Sequence, residues 1–405
     1  MRKTIALLML LSLLLQLAAC SAQELPAQST APADIVSTTP SESPLIEETT
    51  AATEQTLLPQ APLVAVSLPT HTEAATAQDG TVIFNYTFQN ISLITQDADV
   101  ADLVIIDFLN RIDATRLTAD RIHSLAKSAY PGQSTWTPYL CMISYAPMRI
   151  DAGVLSLFGT QAGFYGSTHP ETVYSSVNYD LVTGRTLTLG DILLDTATTD
   201  DLLSSVLGIL KKQEKELYLY EGYEDTVSAY FASSDLQNSW YFTPLGLCFY
   251  FAPYEIAPYS SGVVAPVVPY DLLAGVIRDE FFPAELDTAI GEIRATPFQQ
   301  SDLTAYRRFA ELIQDDDGEK LLLSADDTVR NVRIETGIWS STGTFFTPQH
   351  TVFFASSLSA GDALMVQAVI SSDQPQLLLS YETDNGTVTA FITKNDNGDL
   401  LLQPK

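Results

Sequence analysis

One histidine of this chain stands among residues that could do acid–base or metal chemistry. His169 lies in the stretch 163–185, GFYGSTHPETVYSSVNYDLVTGR. Four nearby side chains could offer it a hydroxyl or a carboxylate partner: Ser167, Glu171, Ser175 and Asp180. The stretch has no G-x-S-x-G elbow and no second histidine at a spacing that suits a metal. We therefore predict that His169-Pro170 forms a tight corner between two strands, with the imidazole bonded to backbone groups, rather than a catalytic site.

A second group of candidates is aromatic. Tyrosines recur between residues 241 and 270: Tyr241, Tyr250, Tyr254, Tyr259 and Tyr270. They could form a surface that binds a sugar or a protein, because aromatic side chains anchor many interfaces. They could equally pack on a sheet with their hydroxyl groups at its rim, and this second interpretation is favoured. Glu255 is interpreted as a buried, bonded carboxylate that fixes its loop rather than an acid catalyst, since a glycosidase would need a second acid at a defined distance.

Metal ligands are sparse. The acidic turns 315–318 and 396–399 lack the D-x-D-x-D-G register and the distal glutamate of a calcium loop, so we interpret them as solvated turns. No CxxC motif or Cys/His cluster indicates zinc. Cys141 and Cys248 lie in apolar, strand-like segments and are predicted to be buried free thiols rather than a disulfide. We predict no metal and no cofactor.

The amino-terminal residues predict export and a lipid anchor. Arg2 and Lys3 precede an apolar run over 5–17, which ends in Leu-Ala-Ala-Cys at Cys20. This ending resembles the lipobox of bacterial lipoproteins, which implies cleavage after residue 19 and acylation of Cys20. Acyl chains would hold the protein on the extracellular face of the cell membrane. The alternative is an ordinary signal peptide, 1–19, with a chance cysteine; no later stretch is apolar enough to span a membrane.

Composition limits the classes of partner. Residues 20–77 are rich in Ala, Ser, Thr, Pro, Gln and Glu and predict a disordered tether. The chain carries 20 basic and 49 acidic residues, a formal net charge of −29. Such a charge argues against nucleic acid and against anionic lipid head groups as partners. It favours a cationic partner, although solubility alone would also explain it.

The elements that would position these residues fall into two parts. Alternating apolar residues predict a strand over 82–88, and i, i+3, i+4 spacing predicts a helix over 99–129. Three strands follow before residue 185, then a helix from Asp200 or Asp201, a strand pair over 240–251, a strand near 262–270 and a closing helix over 270–282. Segregated strands and helices predict an α+β fold, with an antiparallel sheet packed against helices.

The carboxyl-terminal part has a different pattern. We predict a helical connector at 285–317, with its helix over 304–314. Short apolar strands then alternate with polar turns over 318–405, and Asn385-Gly386 and Asn397-Gly398 are strong hairpin signals because they tolerate positive φ. This spacing predicts a small, all-β, sandwich-like domain.

Three motifs in order resemble the DUF3298 family. Gly166-Ser167-Thr168-His169-Pro170 is similar to its GxxHP pattern, YDLVTG at 179–184 to its YDLxTG pattern, and YEIAPYSSG at 254–262, which follows WYFTPLGL, to its YEIAPYAxG pattern. The resemblance implies a DUF3298-like domain at 161–284, and the preceding residues 78–160 are similar to the DUF4163 module. It marks these residues as motif or binding residues: His169, Pro170, Tyr179, Asp180, Gly184, Trp240, Gly246, Tyr254, Glu255, Tyr259 and Gly262.

The resemblance also implies a function. The pairing of these two modules is found in the extracellular half of the anti-sigma factor RsiV, which receives the basic protein lysozyme, and beside the deacetylase domain of PdaC-type proteins. We therefore expect a non-catalytic binding or sensing module for a lysozyme-like basic protein or a cell-wall component. We expect neither a cytoplasmic segment that holds a sigma factor nor a deacetylase metal site. The alternatives are a peptidoglycan-directed hydrolase or deacetylase accessory protein, and an envelope structural or assembly protein.

Overall fold

The computed structural model describes residues 63–405 except 133–134, 168, 285–287, 341–342, 344 and 396. The predicted signal peptide, Cys20 and most of the predicted tether lie outside the described residues. Within them, no helix is both long enough and apolar enough to cross a membrane. The described chain is a mixed α/β fold, built mostly of strands in several largely antiparallel sheets.

The helices and strands are numbered here in chain order. The helices are α1 (Ala98–Ala129), α2 (Leu189–Ile192), α3 (Thr199–Leu217), α4 (Tyr223–Phe231), α5 (Tyr270–Leu273) and α6 (Asp302–Ala305). The strands are β1 (Ala65–Ser67), β2 (Thr70–Thr76), β3 (Val82–Gln89), β4 (Ser92–Ile94), β5 (Tyr139–Ile150), β6 (Val154–Phe164), β7 (Glu171–Asp180), β8 (Trp240–Thr243), β9 (Gly246–Phe249), β10 (Val267–Pro269), β11 (Ile293–Pro297), β12 (Arg308–Ile313), β13 (Glu319–Ala325), β14 (Val329–Trp339), β15 (Phe346–Leu358), β16 (Asp362–Ala368), β17 (Leu377–Thr383), β18 (Gly386–Lys394) and β19 (Leu400–Pro404).

A five-stranded sheet, in the order β2-β3-β5-β6-β7, packs against α1. The Asp97 side chain accepts a hydrogen bond from the Asp99 amide and begins the helix, and Phe108 is fully buried on the sheet. The predicted first strand, the helix and the three strands before residue 185 are confirmed. The expectation of a wholly antiparallel sheet is wrong at one point, because α1 crosses over the sheet and returns the chain to make β5 parallel to β3.

Residues 189–282 form a second layer around their own core. Helices α2, α3 and α4 and the small sheet β10-β9-β8 share this core. It docks on β7 through hydrogen bonds: the Trp240 carbonyl accepts from Ser176 Oγ at 2.6 Å and from Asn178 Nδ2 at 3.0 Å. The predicted closing helix over 270–282 is wrong. Only α5 forms there, because Gly275 follows with φ of 78° and turns the chain out of the helix.

The carboxyl-terminal strands, together with the amino-terminal strands β1 and β4, form two sheets that share a core. The seven-stranded sheet has the order β19-β18-β17-β14-β15-β1-β4, and the four-stranded sheet has the order β11-β13-β16-β12. Ile334 and Phe353 of the first meet Leu323 and Leu364 of the second in one apolar cluster. All of the strands predicted beyond residue 318 are confirmed. Gly386, at a φ of 123°, makes the turn between β17 and β18.

Two sequence predictions fail at the ends of this region. The predicted helix over 304–314 is instead the short α6 followed by strand β12, which lies parallel to β16. Ala310 and Leu312 are buried and Glu311 is exposed, which is the alternation of a strand. The segment forms a strand rather than a helix because it pairs with β16. The predicted tether ends too late, because β1 already lies between β15 and β4 with Val66 fully buried.

Candidate functional site

Three of the motif residues join β7 to helix α1. The Tyr179 ring is buried, and its hydroxyl donates a hydrogen bond of 2.9 Å to Asp107 Oδ2 on the helix. The Asp180 carboxylate accepts from the Val182 amide at 2.8 Å and from Thr183 Oγ1 at 2.6 Å, which holds the turn that follows. Gly184 has a φ of 73°, and a Cβ there would lie 2.9 Å from Leu103 Cβ. The contacts of these three residues therefore stabilise the fold.

Three further motif residues hold the small sheet. The Trp240 side chain is fully buried in the core of residues 189–282. A Cβ on Gly246 would lie 2.0 Å from the Val268 carbonyl oxygen, so only glycine lets β9 and β10 approach this closely. Gly262 has a φ of 66° and ends the 3-10 turn that begins at Tyr259. None of these three presents a reactive side chain to the surface.

The loop 252–262 has the opposite character. Tyr254 is 68% exposed, and its φ of 74° is rare for a tyrosine. Several hydrogen bonds hold the loop; among them, the Tyr254 amide donates to the Ala257 carbonyl at 2.9 Å, and the Ala252 amide donates to Glu255 Oε2 at 2.7 Å. Strained backbone that presents an exposed side chain is typical of functional loops. The predicted bonded carboxylate at Glu255 is present, but the prediction that it is buried is wrong, because the loop places Glu255 at the surface.

The rings of Tyr254, Tyr259 and His169 form what we call the aromatic patch. Tyr254 stacks on Tyr259 with ring centroids 5.6 Å apart and an interplanar angle of 29°. The His169 ring lies 5.9 Å from the Tyr259 ring, at 43° to it. The corner 165–170 between β6 and β7 and the loop 252–262 thus bring two separate sequence motifs together at the surface.

In the described part of the chain, the hydroxyl and carboxylate groups considered as partners for His169 bond elsewhere or lie far from its ring. It is exposed, and Ser167 Oγ donates to its carbonyl oxygen at 2.5 Å rather than to its ring. The Glu171 carboxylate accepts from the Tyr165 hydroxyl, and Asp180 lies at the far end of β7. The predicted corner is present. The predicted bond from imidazole to backbone is not found among the described residues, because the ring faces Tyr259 and solvent.

A cleft of about 210 Å³ lies beside the aromatic patch, and we call it the tyrosine cleft. Its lining comes from β7, α4 and the segments on either side of β8 and β9: Thr172, Val173, Tyr174, Tyr230, Ser239, Tyr250, Ala252 and Glu255. The Tyr230 and Ser239 hydroxyls share a hydrogen bond, and the Tyr250 hydroxyl donates to the Asn238 carbonyl at 2.5 Å. Thr172 Oγ1 is buried and has no hydrogen-bond partner in the described part of the chain.

The electrostatics of the cleft centre on Glu255. Loss of solvation raises the pKa of its carboxyl group above the usual value, the Ala252 amide opposes this rise, and the negative charge of Asp235 adds to it. No basic side chain forms an ion pair with Glu255 among the described residues. Burial also raises the pKa of Tyr174 to about 12, so its hydroxyl is neutral at physiological pH. The cleft therefore combines one anionic group with aromatic walls and neutral hydroxyls.

The other tyrosines of the sequence set are packed. Tyr241 and Tyr250 lie with Phe158 in a small buried cluster. The Tyr270 hydroxyl donates to the Thr243 carbonyl at 2.9 Å and accepts from Arg149 Nη1 at 2.5 Å. The packing interpretation is therefore confirmed for Tyr241, Tyr250 and Tyr270, and the binding interpretation stays a prediction for Tyr254 and Tyr259. Tyr254 and Tyr259 are at the surface, and the remaining three stabilise the fold.

Of the eight residues that line the cleft, sequence reasoning named only Tyr250 and Glu255. Thr172 and Tyr174 share one face of β7, and their i, i+2 spacing was the only available pointer. Tyr230 and Ser239 come from α4 and the segment before β8, and no motif connects them to β7. Cys141 and Cys248 are buried and form no disulfide among the described residues, as predicted, and burial raises the pKa of Cys141 to about 11.

Comparison with known families identifies one domain. Residues 191–271 match the model of the family DUF3298, "Protein of unknown function". The chain therefore contains a DUF3298 domain, within the range that its motifs predicted. The match includes Trp240, Gly246 and the loop 252–262, whereas His169 and Tyr179 precede it.

Solved structures of the same family are similar to parts of this chain. A DUF3298 family member from Bacteroides fragilis has 16% sequence identity and a TM-score of 0.38, with 54% of this chain and 94% of that chain covered. A DUF3298 family protein from Pseudomonas aeruginosa has 17% identity and a TM-score of 0.36, with 56% of this chain and 98% of that chain covered. No curated protein matches the chain.

Proposed function

We propose that this protein is anchored through lipidated Cys20 on the extracellular face of the cell membrane, and that its DUF3298 domain is a non-catalytic binding or sensing module for a cationic partner. The observation that carries the proposal is the tyrosine cleft, where Glu255 has no basic partner among the described residues and lies beside exposed Tyr254 and half-buried Tyr259. The partner class is a basic protein such as a lysozyme. The formal net charge of −29 would attract such a protein at low ionic strength.

The aromatic patch supports binding rather than catalysis. Tyrosine anchors contribute strongly to protein interfaces because they bury a large rigid surface at low entropic cost. The turn that holds Tyr254 at positive φ fixes its ring before any partner arrives, so little ordering is needed on binding. A hydrolase would instead need an activated nucleophile or a base with an oriented partner, and the His169 ring has neither among the described residues.

A cell-wall component is the second candidate. The specific observation in its favour is the exposed Tyr254 ring stacked on Tyr259, since flat aromatic faces also receive apolar sugar faces. A neutral glycan can donate hydroxyl hydrogen bonds to Glu255, but it does not neutralise the charge of the carboxylate. For that reason we place the cationic protein first.

Binding measured by calorimetry on the full chain tests this proposal. A basic lysozyme should bind, and more weakly as salt is added. The variant Tyr254→Ala/Tyr259→Ala should lower the affinity about tenfold or more, as expected for hot-spot residues. Phe345→Ala is the matched control, because Phe345 is 74% exposed in the carboxyl-terminal region. Absence of binding to any basic protein or cell-wall fraction would overturn the proposal.

The anchor is tested separately. Cys20→Ser should release the protein from the membrane fraction, since the lipid would have no attachment site. Retention of the variant on membranes would contradict the anchor without affecting the binding experiment.

A further inference from the structure

We infer that the tyrosine cleft receives the end of a single basic side chain, an ammonium or guanidinium group that a partner inserts between Glu255 and the tyrosine walls. The inference rests on the proposed function and deepens it, because it names the chemical group that the DUF3298 domain recognises. Four features of the cleft support it: an unpaired carboxylate, an unused hydroxyl, aromatic walls and a small volume.

Glu255 lines the cleft from an exposed loop and has no ion pair among the described residues, whereas two more deeply buried acids have basic partners. Asp362 is fully buried and accepts from Arg308 Nε at 2.5 Å and Nη2 at 2.6 Å. Asp151 lies 2.5 Å from Arg149 Nε. Glu255 has no such cation in the described residues, and Asp235 adds a second negative charge nearby. A cation supplied by a ligand would restore the pairing that the desolvated carboxylate lacks.

The cleft also offers acceptors for the remaining donors of such a group. An ammonium has three N–H donors and a guanidinium has five, and neither has an acceptor. Thr172 Oγ1 is buried without a partner, and a ligand N–H would satisfy it. The Tyr230 and Ser239 hydroxyls already share one bond, and their free lone pairs provide further acceptors.

The walls and the volume suit the stem of a basic side chain. Tyr174, Tyr230 and Tyr250 supply aromatic surface, on which methylene groups pack and over which a cation is attracted. A cleft of about 210 Å³ is smaller than a typical small-molecule site and admits one side-chain end rather than a folded element. A metal ion fits less well, since the described residues contain no group of three His, Cys, Asp or Glu that could hold one.

The test uses the full chain and small probes. Nα-acetyl-lysine methylamide and the arginine equivalent are titrated into the ¹⁵N-labelled protein, with the norleucine equivalent as the neutral control. The reporter is the Ala252 amide, because it donates to Glu255 Oε2. We expect a saturable shift with a dissociation constant on the order of 1–10 mM for a cationic probe and none for norleucine. The two cationic probes show whether ammonium or guanidinium is preferred.

Variants separate this inference from the proposed function. Glu255→Gln should weaken cationic-probe binding about tenfold or more, whereas Glu292→Gln, which removes the same charge from an exposed site elsewhere, should leave it unchanged. Unaltered probe binding in Glu255→Gln, or equal binding of norleucine, would overturn the inference. If lysozyme binding survives in Glu255→Gln but is lost in Tyr254→Ala/Tyr259→Ala, the proposed function stands and the inference fails. If the cationic probes bind and no basic protein does, the inference stands and the proposed function fails.

Discussion

Around β7 and β8 the motif residues are buried or shape the backbone, whereas His169 at the corner 165–170 and Tyr254 in the loop 252–262 are exposed. Tyr179 and Trp240 are fully buried, and Gly246 sits against the Val268 carbonyl. Tyr254, by contrast, is held in a strained conformation that exposes its ring. The difference teaches that the family motifs contain two kinds of residue: buried residues that stabilise the fold, and residues whose side chains are exposed at the surface. Stability and binding measurements can separate the two groups.

The largest expected effect is on stability, at one of the buried motif residues. Gly246→Ala places a Cβ 2.0 Å from the Val268 oxygen, so β9 and β10 must separate, and we expect a loss of more than about 2 kcal/mol in the free energy of unfolding. Gly208→Ala is the matched control. A Cβ there meets nothing within 4 Å in helix α3, and this variant should gain about 0.5–1 kcal/mol. Denaturant unfolding measures both, and equal stabilities would contradict the assignment of Gly246.

The next effect concerns the join between β7 and α1. Tyr179→Phe removes the 2.9 Å bond to Asp107 and should cost about 1–2 kcal/mol, because the hydrogen bond is to a carboxylate. It should leave partner binding unchanged. A binding defect without loss of stability would move Tyr179 from the structural group to the binding group.

A smaller effect tests the strain in the loop. At a φ of 74°, Tyr254→Gly should be about 1 kcal/mol more stable than Tyr254→Ala, because only glycine adopts this conformation without steric cost. Both variants lose the ring and should bind the basic partner equally poorly. Thermal unfolding of the pair is the measurement, and equal melting temperatures would show that the loop relaxes instead of storing strain.

The smallest effect is the pH dependence of Glu255. Its pKa is raised in the folded protein, so the ionised form opposes folding, and its contribution to stability falls as pH rises from the usual 4.5 through the raised value. Glu255→Gln should therefore be equal to or slightly more stable than the parent at pH 7, by about 0.5 kcal/mol or less, and this difference should vanish below pH 4.5. Marked destabilisation at pH 7 would mean that Glu255 is chiefly structural.

Elements with a clear side-chain periodicity were predictable from the sequence, whereas strands that depend on a neighbouring strand were not. The helix α1 and the strands beyond residue 318 follow from their own side-chain spacing. The sequence of β12 alone predicts a helix, and the segment forms a strand because it pairs with β16. The composition around β1 predicts disorder, and the segment forms a strand because it lies between β15 and β4. The corner at His169 followed from its local sequence. Its contact with Tyr259 depends on how residues 189–282 dock on β7, which no local pattern specifies.

The acidic composition predicts a class of partner but does not indicate where on the molecule that partner would bind. A formal net charge of −29 is spread over the whole chain. Many of the described acids lie in ion pairs or cap turns, as Asp362 and Asp180 do. Glu255 stands out only once its loss of solvation and its lack of a basic neighbour are visible. The motif alone marked it as a loop residue.

The most direct test of the account compares the affinities of three full-length proteins for a basic lysozyme at physiological salt. The first is the parent, and the second carries Tyr254→Ala and Glu255→Gln. The third, Phe345→Ala/Glu292→Gln, is the control matched in charge and in exposed aromatic surface. The account predicts that the first variant binds at least about tenfold more weakly while it remains folded, and that the control binds like the parent. Equal affinities of the parent and both variants would contradict the claim that this loop and its cleft form the binding face.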